Sequence, residues 1–221
     1  MTTRAALLVL ADGRFPAGGH AHSGGAEPAV KAGHIRNAQD LADFCLGRLH
    51  TTGLTSAALA AAAAHGLDPL ALDEAADART PSPALRSVAR KLGRQLMRAA
   101  RATWPSAELA ALAEARPRGA HQPVVLGLTA RSAGLGPADA AHCVAYETVS
   151  GPATAVVRLL SLDPFEAAAV LARLAPALDQ VAEQATEAAR QGVDALPAAS
   201  APLLDISAEA HAAWPVRLFA S

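Results

Sequence analysis

The sequence predicts an all-α protein, built as a single-domain bundle of roughly eight to ten helices. Hydrophobic residues make up 52% of the 221 residues and aromatic residues only 3%, so alanine and leucine, which favour helices, must fill the interior. Runs of β-branched and aromatic residues that would form strands are nearly absent. Neither an internal repeat nor a shift in composition divides the chain, so residues 1–221 are predicted to form one domain.

The first half of the chain shows helical periodicity interrupted by caps and turns. Apolar residues recur every three or four positions, which predicts helices at residues 4–11, 26–31, 38–52, 54–65 and 84–103. Asn37 is placed to cap the third of these helices, because its side chain can accept hydrogen bonds from the first backbone amides. Gly66 is predicted to end the fourth, since glycine readily adopts the left-handed conformation found at helix C-termini.

The second half continues the helical pattern and ends in a short tail. Helices are predicted at residues 124–133, 137–160 and 164–191. The second of these is expected to be interrupted at Gly151-Pro152, because proline removes a backbone donor. The Ala- and Pro-rich segment 192–203 is predicted to be an internal linker. A short helix follows, and Pro215 discourages its continuation into residues 215–221, the C-terminal tail.

Charge and cysteine content exclude several classes of protein. The formal net charge is −1, so no overall field favours nucleic acid or a membrane surface. Residues 1–149 carry 15 Lys or Arg and 12 Asp or Glu (net +3), whereas residues 150–221 carry 4 and 8 (net −4). The N-terminus lacks the features of a signal peptide. Cys45 and Cys143 have no disulfide-framework or zinc spacing, so a cytoplasmic location is expected.

The stretch FPAGGHAHSGGAEPAV, which begins at Phe15, places His20 and His22 in a glycine-rich turn. Backbone amides in such a turn can hold a phosphate, but the specific phosphate-loop and dinucleotide patterns are missing. Imidazole is a good nickel or zinc ligand, although the two histidines are weak candidates because no third ligand follows. Alternatively, the glycines allow a sharp reversal, and Ser23 or Gly24 caps the next helix.

The helix predicted at residues 84–103 is the most strongly amphipathic in the chain. Apolar residues occupy one side, and the other side is a basic ridge of Arg86, Arg90, Lys91, Arg94, Arg98 and Arg101. Such a ridge is often only a solvated face. Alternatively, it is a docking surface for an acidic partner, with Arg90 and Arg94 as candidate contacts. A third interpretation pairs it with the acids that step by four along a later helix, Asp179, Glu183 and Glu187.

No recognisable catalytic pattern occurs in the sequence. There is no Ser–His–Asp set, no pair of carboxylates at catalytic spacing and no HExxH motif. His142 and Cys143 are adjacent, so on a helix their side chains diverge by about 100° and cannot easily share one metal ion. The sequence therefore predicts a protein without catalytic activity.

Four segments match, in order along almost the whole chain, a pattern known from one protein family. They are LLVLADGRFPAGGHAHSGGAEPAVKAGHI, HQPVVLGL, AVVRLLSLDP, and an ending of His211 followed by RLFAS. Together they resemble the urease accessory protein UreF family. The turn residues that match its N-terminal motif are His22, Ser23, Gly24, Gly25 and Glu27. Two positions depart from it: Gly13 replaces the usual serine, and His20 replaces an aromatic residue, which weakens a ligand role for His20.

The resemblance implies an all-α scaffold with no chemistry of its own, in which the turn shapes an interface. Proteins of that family assemble with UreD (UreH in some organisms) and the GTPase UreG, and the complex delivers nickel to apo-urease. It therefore implies no tightly bound cofactor, with nickel handled by the complex, and a homodimer is consistent with it. Two rival functions remain open: a nickel metallochaperone that uses His20 and His22, or an activator of UreG that inserts an arginine of the basic ridge.

The tail contains Arg217, Leu218 and Phe219, a combination common at interface anchors. Chains of the UreF family end in a similar RLF, and the resemblance implies that this end faces UreD. These three residues are therefore candidate partner-binding residues. The alternative is that the tail folds back onto the core of its own chain.

Overall fold

The structure, a computed structural model, describes residues 4–221. Its α-helices are α1 (Arg4–Ala11), α2 (Ala26–Lys31), α3 (Ala38–Arg48), α4 (Leu54–His65), α5 (Pro69–Ala78), α6 (Pro83–Thr103), α7 (Ala107–Ala115), α8 (Gln122–Ser132), α9 (Pro137–Leu160), α10 (Pro164–Arg190) and α11 (Pro202–Ala212). Residues 4–221 contain no strand, and the all-α prediction is confirmed. None of the helices in this range combines the length and apolarity that a bilayer crossing requires.

Short turns connect several of these helices. A π-helical turn, Leu49–Gly53, joins α3 directly to α4, and 3₁₀ turns lie at Gly19–Ala21 and Val193–Ala195. Both predicted helix ends are present. The Asn37 side chain accepts hydrogen bonds from the amides of Gln39 and Asp40, each at 2.9 Å, and Gly66 ends α4 with a φ of +102°.

Helices α5 and α7 are not predicted by the apolar periodicity. Each is short, and each begins at a side-chain cap: Asp68 accepts from the amides of Leu70 and Ala71, and Ser106 from that of Leu109. Helix α5 carries Asp73 into the interior. Helix α5 begins at a capping side chain and has no long apolar stripe, so its apolar periodicity is too weak to predict it.

The interruption predicted at Gly151-Pro152 is wrong, because α9 runs unbroken from Pro137 to Leu160. Proline at position 152 cannot donate to the carbonyl four residues earlier, that of Thr148. The side chain of Arg48 replaces the missing donor, with Nε 3.2 Å from the Thr148 carbonyl oxygen. A long-range contact therefore satisfies the group that proline leaves open, and the helix continues.

The centre of the fold is α4, whose residues 57–64 are all buried. It packs against α8, α9 and α10, and small side chains let these helices approach closely. The approach at Gly127 in α8 is very close, since a Cβ there would lie 2.2 Å from the carbonyl oxygen of Ala60. Such a distance is far below van der Waals contact, so only glycine fits at this crossing.

The predicted linker, residues 192–203, lies against α5. The guanidinium of Arg79, at the end of that helix, donates to the carbonyls of Val193, Leu196 and Pro197 at 3.1–3.2 Å. One side chain therefore fixes several backbone groups of a segment that has little regular structure of its own.

We predict that Gly127→Ala destabilises the protein by about 1–3 kcal/mol, the usual cost of overpacking a helix crossing. Gly151→Ala is the matched control. Gly151 also lies within a helix, but a Cβ there would meet nothing within 4 Å, so the change should be neutral or stabilise by up to about 1 kcal/mol through helix propensity. Urea unfolding of both variants measures the difference, and equal stabilities would refute the close-packing argument.

Candidate interface at the glycine turn and the C-terminal tail

The glycine turn reverses the chain through backbone conformations that favour glycine. Gly18, Gly24 and Gly25 have φ angles of +85°, +61° and +87°, in the left-handed region that side chains disfavour. Gly25 is the residue immediately before α2. A Cβ on Gly25 would also lie 3.1 Å from Leu204 in α11. The glycines are therefore required both for the turn and for the close approach of α11.

Arg48 connects this turn to α9. Its Nη1 donates to the carbonyl oxygen of Gly24 at 2.7 Å, while its Nε donates to Thr148 as described above. Burial lowers the pKa of this guanidinium, and arginine side chains stay protonated in proteins. A single cation on α3 thus holds the glycine turn against the proline-containing helix.

The carboxylate of Glu27 is the centre of the site. Its oxygens accept hydrogen bonds from the amides of Leu218 at 2.8 Å and Phe219 at 3.0 Å, and they contact His211 Nε2 at 2.9 Å. The side chain is almost fully buried. Burial alone would raise the pKa of Glu27, but the two amides and His211 favour the charged form, and the pKa lies below its usual value.

Backbone hydrogen bonds close the contact between tail and turn. The amide and the hydroxyl of Ser23 donate to the main-chain oxygen of Ser221, at 2.6 Å and 2.8 Å. The amide of Ala220 donates to the carbonyl of Ala21 at 2.7 Å. His22 Nδ1 lies 2.7 Å from the Ser221 hydroxyl. The tail is therefore fixed along most of its length by residues 21–27.

This arrangement changes the interpretation of the three candidate anchors in the tail. Phe219 is buried, with the guanidinium of Arg158 5.0 Å from its ring centre, so it packs on its own chain and is not a surface anchor. The alternative expectation, that the tail folds back, describes Phe219 correctly. Leu218 and Arg217 remain exposed, and their role in binding a partner stays a prediction.

The two histidines of the turn lie in different surroundings. His20 is exposed in the 3₁₀ turn. His22 is half-buried, and burial together with the charge of Lys91 lowers its pKa. Its Nδ1 faces Ser221, which leaves only Nε2 as a ligand atom. Within residues 4–221 no group of three or more His, Cys, Asp or Glu side chains is arranged to hold a metal ion.

The basic ridge on α6 is partly neutralised from within the chain. Arg90 Nη1 lies 3.0 Å from Asp73 and its Nη2 lies 2.5 Å from Asp77, both on α5. Arg90 is therefore engaged in the protein's own structure, whereas Arg94 is exposed. The interpretation that pairs the ridge with the later acids does not hold for Arg90, because its carboxylate partners lie on α5. Asp179 instead contacts His142 at 3.2 Å, and Glu187 pairs with Arg190 at 2.8 Å.

Asp73 forms a buried ionic network that the sequence does not reveal. Its carboxylate is completely buried and also accepts from Arg116 Nε at 2.8 Å and from the amide of His121 at 2.8 Å. His121 Nε2 contacts Asp77 at 2.8 Å. Burial nevertheless lowers the pKa of His121. The network fixes α5 and α6 to the start of α8.

Comparison with known proteins assigns the chain to a family. A family model described as UreF matches residues 35–175. The urease accessory proteins UreF of Mycobacterium sp. (strain JLS) and Mycolicibacterium vanbaalenii are each 44% identical to the chain, with all of both sequences covered. That of Mycobacterium tuberculosis (strain H37Rv) is 42% identical, over 96% of this chain and 95% of its own. The chain belongs to the UreF family.

Membership of the UreF family makes this chain a urease accessory protein rather than the urease itself. The matches to full-length UreF relatives include the glycine turn and the tail. Of the residues that form the site, the turn residues stand in the quoted UreF motif, and His211 stands in the matched ending. Arg48 and the Asp73 network have no comparable sequence signal, since both depend on contacts between distant segments.

The buried carboxylate generates a pH-dependent prediction. Glu27→Gln keeps the side-chain shape but removes the charge, and should destabilise the protein by about 1–3 kcal/mol at pH 7. The pKa of Glu27 is lower in the folded protein than in the unfolded chain. Its stabilisation is therefore present above about pH 4.5 and is lost as the pH falls through the folded-state pKa.

Urea unfolding of the wild type and Glu27→Gln at pH 7 and at progressively lower pH checks this dependence. The difference in unfolding free energy should shrink below about pH 4.5. A difference that stays constant across that range would show that the charge of Glu27 is unimportant.

Gly25→Val should destabilise the protein more than Gly33→Val does. Both glycines have positive φ, so both changes strain the backbone, by about 1 kcal/mol or more. Only Gly25 also faces Leu204, whereas a Cβ on Gly33 would meet nothing within 4 Å. Thermal unfolding by circular dichroism compares the two variants, and equal losses would show that contact with α11 is unimportant.

Proposed function

We propose that the chain is a non-catalytic scaffold that joins UreD (UreH) and the GTPase UreG to apo-urease while nickel, the cargo of the complex, is delivered to the enzyme. Its membership of a family of urease accessory proteins supports a role in urease maturation. The single observation that carries the scaffold function is an exposed apolar surface, formed by α11 and the tail, beside the Glu27 contact.

Four large apolar side chains are exposed on α11 and in the tail, and we take them together as the α11–tail surface. Leu203 and Ile206 on α11 are 72% and 66% exposed, and Val216 and Leu218 in the tail are 80% and 69% exposed. Leu203 and Ile206 are three positions apart and so share one face of α11. Large apolar side chains grouped on a surface are typical of protein-binding sites.

The Glu27 network prepares this surface for binding. The amide of Leu218 donates inward to Glu27 while the Leu218 side chain stays exposed. Holding the backbone in place before a partner arrives reduces the conformational entropy lost on association. A rigidly presented apolar side chain is a better anchor than one on a flexible terminus. On these grounds we assign UreD to the α11–tail surface.

The remaining basic residues of α6 provide a separate candidate contact. Arg94 and Arg98 are exposed and make no ion pair within residues 4–221, so they can attract an acidic partner. Arg90 is already paired with two carboxylates of α5, so it is a poor candidate for an arginine that inserts into UreG. We therefore expect Arg94 to steer association. A homodimer and a cytoplasmic location remain expectations of the same proposal.

Leu218→Asp should weaken the retention of UreD while leaving the fold intact. Burial of one leucine contributes about 1.5–3 kcal/mol, so binding should weaken by about tenfold or more. Deletion of residues 216–221 is a poorer test, because it also removes two donors from the buried Glu27 carboxylate. Co-purification with tagged UreD, together with urease activation in cells that express the whole operon, measures the effect.

Phe165→Asp is the matched control for this experiment. Phe165 is 84% exposed at the start of α10, outside the α11–tail surface, and its replacement should leave UreD retention unchanged. Both variants should keep the wild-type melting temperature. If Leu218→Asp retains UreD as well as the wild type does, the α11–tail surface is not the docking site.

A further inference from the structure

A cavity of about 420 Å³ lies beside the glycine turn, between α4, α6 and α11. The turn and the tail also contribute to its wall. Cavities of 300–1,000 Å³ are typical of small-molecule sites. The proposed scaffold function does not depend on this cavity.

One part of the wall is apolar. Leu85, Val88 and Leu92 line it from α6, Leu59 from α4 and Leu204 from α11. These side chains come from three helices and surround a space large enough for a compact hydrocarbon body. An apolar wall with few polar groups is the usual composition of a ligand pocket.

The charged groups of the lining are mostly cations. Arg48, Arg79, Lys91 and Arg217 line the cavity, and Asp205 is the only acidic side chain among the lining residues. Four basic side chains and one acidic side chain give a local side-chain balance of +3, whereas the whole chain has a net charge of −1. None of the four cations forms a salt bridge within the described part of the chain, and clefts lined by one sign of charge attract ligands of the opposite sign.

Two of these cations retain donors for a ligand. Arg48 uses Nε and Nη1 for backbone carbonyls, and Nη2 makes no hydrogen bond within residues 4–221. Lys91 is exposed on α6 and has no hydrogen bond in the same range. The hydroxyl of Thr52, another lining residue, is buried without a hydrogen-bond partner. Arg79 donates to four carbonyls and supplies charge only.

Acidic groups also lie near the cavity. Glu147 accepts from the side chain of Gln122, which lines the cavity, at 2.7 Å. Burial raises the pKa of Glu147 to about 7, so at neutral pH it carries only part of a negative charge. Asp205 accepts from the Ser82 amide at 3.4 Å. Glu27 and Asp77 contact the lining histidines His211 and His121 from outside the lining, so the positive balance is that of the lining side chains themselves.

We propose that this cavity binds a small organic anion: a compact apolar body that carries one carboxylate or sulfonate group. The apolar body packs against the leucines of α6 and α11, and the anionic group is held by Arg48 and Lys91. This inference is independent of the scaffold function, because it concerns a ligand of the isolated chain and not a protein partner.

The probe is 8-anilinonaphthalene-1-sulfonate, which has an aromatic body and one sulfonate and fluoresces in apolar surroundings. N-Phenyl-1-naphthylamine, which has the same ring system without the sulfonate, is the neutral comparison. Titration of the full chain should show one saturable site for the sulfonate, with tighter binding than the neutral dye. Added salt should weaken binding of the sulfonate only.

Lys91→Met and Arg48→Met should each weaken sulfonate binding by about tenfold, as expected for one lost charge-assisted hydrogen bond. Lys91→Met should leave the affinity for the neutral dye unchanged, whereas Arg48→Met also frees Gly24 and Thr148 in the cavity wall and is a secondary test. Arg98→Met is the matched control, because Arg98 is exposed on the same helix but does not line the cavity. If Arg48→Met fails to fold, Lys91→Met alone tests the proposal, since Lys91 makes no hydrogen bond within residues 4–221.

Displacement by simple ligands completes the test. Octanoate should displace the sulfonate dye, and octan-1-ol should do so far less well. Equal displacement by the acid and the alcohol would overturn the proposal. It would also be overturned if Lys91→Met bound the sulfonate dye as tightly as the wild type does. Displacement by a short Leu- and Glu-containing peptide but not by octanoate would also overturn it, and would indicate a site for a protein segment.

Discussion

The buried carboxylate of Glu27 is the contact on which the candidate interface depends. Glu27 belongs to the first short helix after the glycine turn, but its hydrogen-bond partners come from α11 and from the tail. An unpaired carboxylate in this position would be strongly destabilising. The folded state therefore requires residues about 190 positions away to close over it, and the exposed apolar groups of the tail are positioned as a result.

A second constraint fixes the turn from its other side. Pro152 leaves a carbonyl of α9 without its normal donor, and Arg48 both satisfies that carbonyl and holds Gly24. The Asp73 network acts similarly on α6, where Asp73 and Asp77 of α5 pair with Arg90. In each case a single charged side chain connects segments that are distant in sequence. The helices themselves are built mostly from alanine and leucine and carry little of this specificity.

The sequence predicts those features that depend on local pattern. Apolar periodicity and capping residues predict the all-α class, most of the helices and the Asn37 cap, and the quoted motif indicates the importance of the turn. Local sequence pattern does not predict features that depend on contacts between residues distant in sequence. The pairing of Arg90 with Asp73 and the burial of Phe219 require the three-dimensional arrangement. The continuation of α9 through Pro152 requires Arg48, which lies about a hundred residues earlier.

The position of Trp214 gives the protein a natural optical reporter. The chain has two tryptophans. Trp104 lies at the C-terminal end of α6 and stacks on Phe15. The centre of the Trp214 ring lies 3.9 Å from the Lys31 ammonium and 4.7 Å from the centre of the His211 ring. Because His211 is the same residue that binds Glu27, any release of the tail changes the polarity and the quenching around Trp214. Its emission, isolated by replacing Trp104 with phenylalanine, follows the state of the tail without an added label.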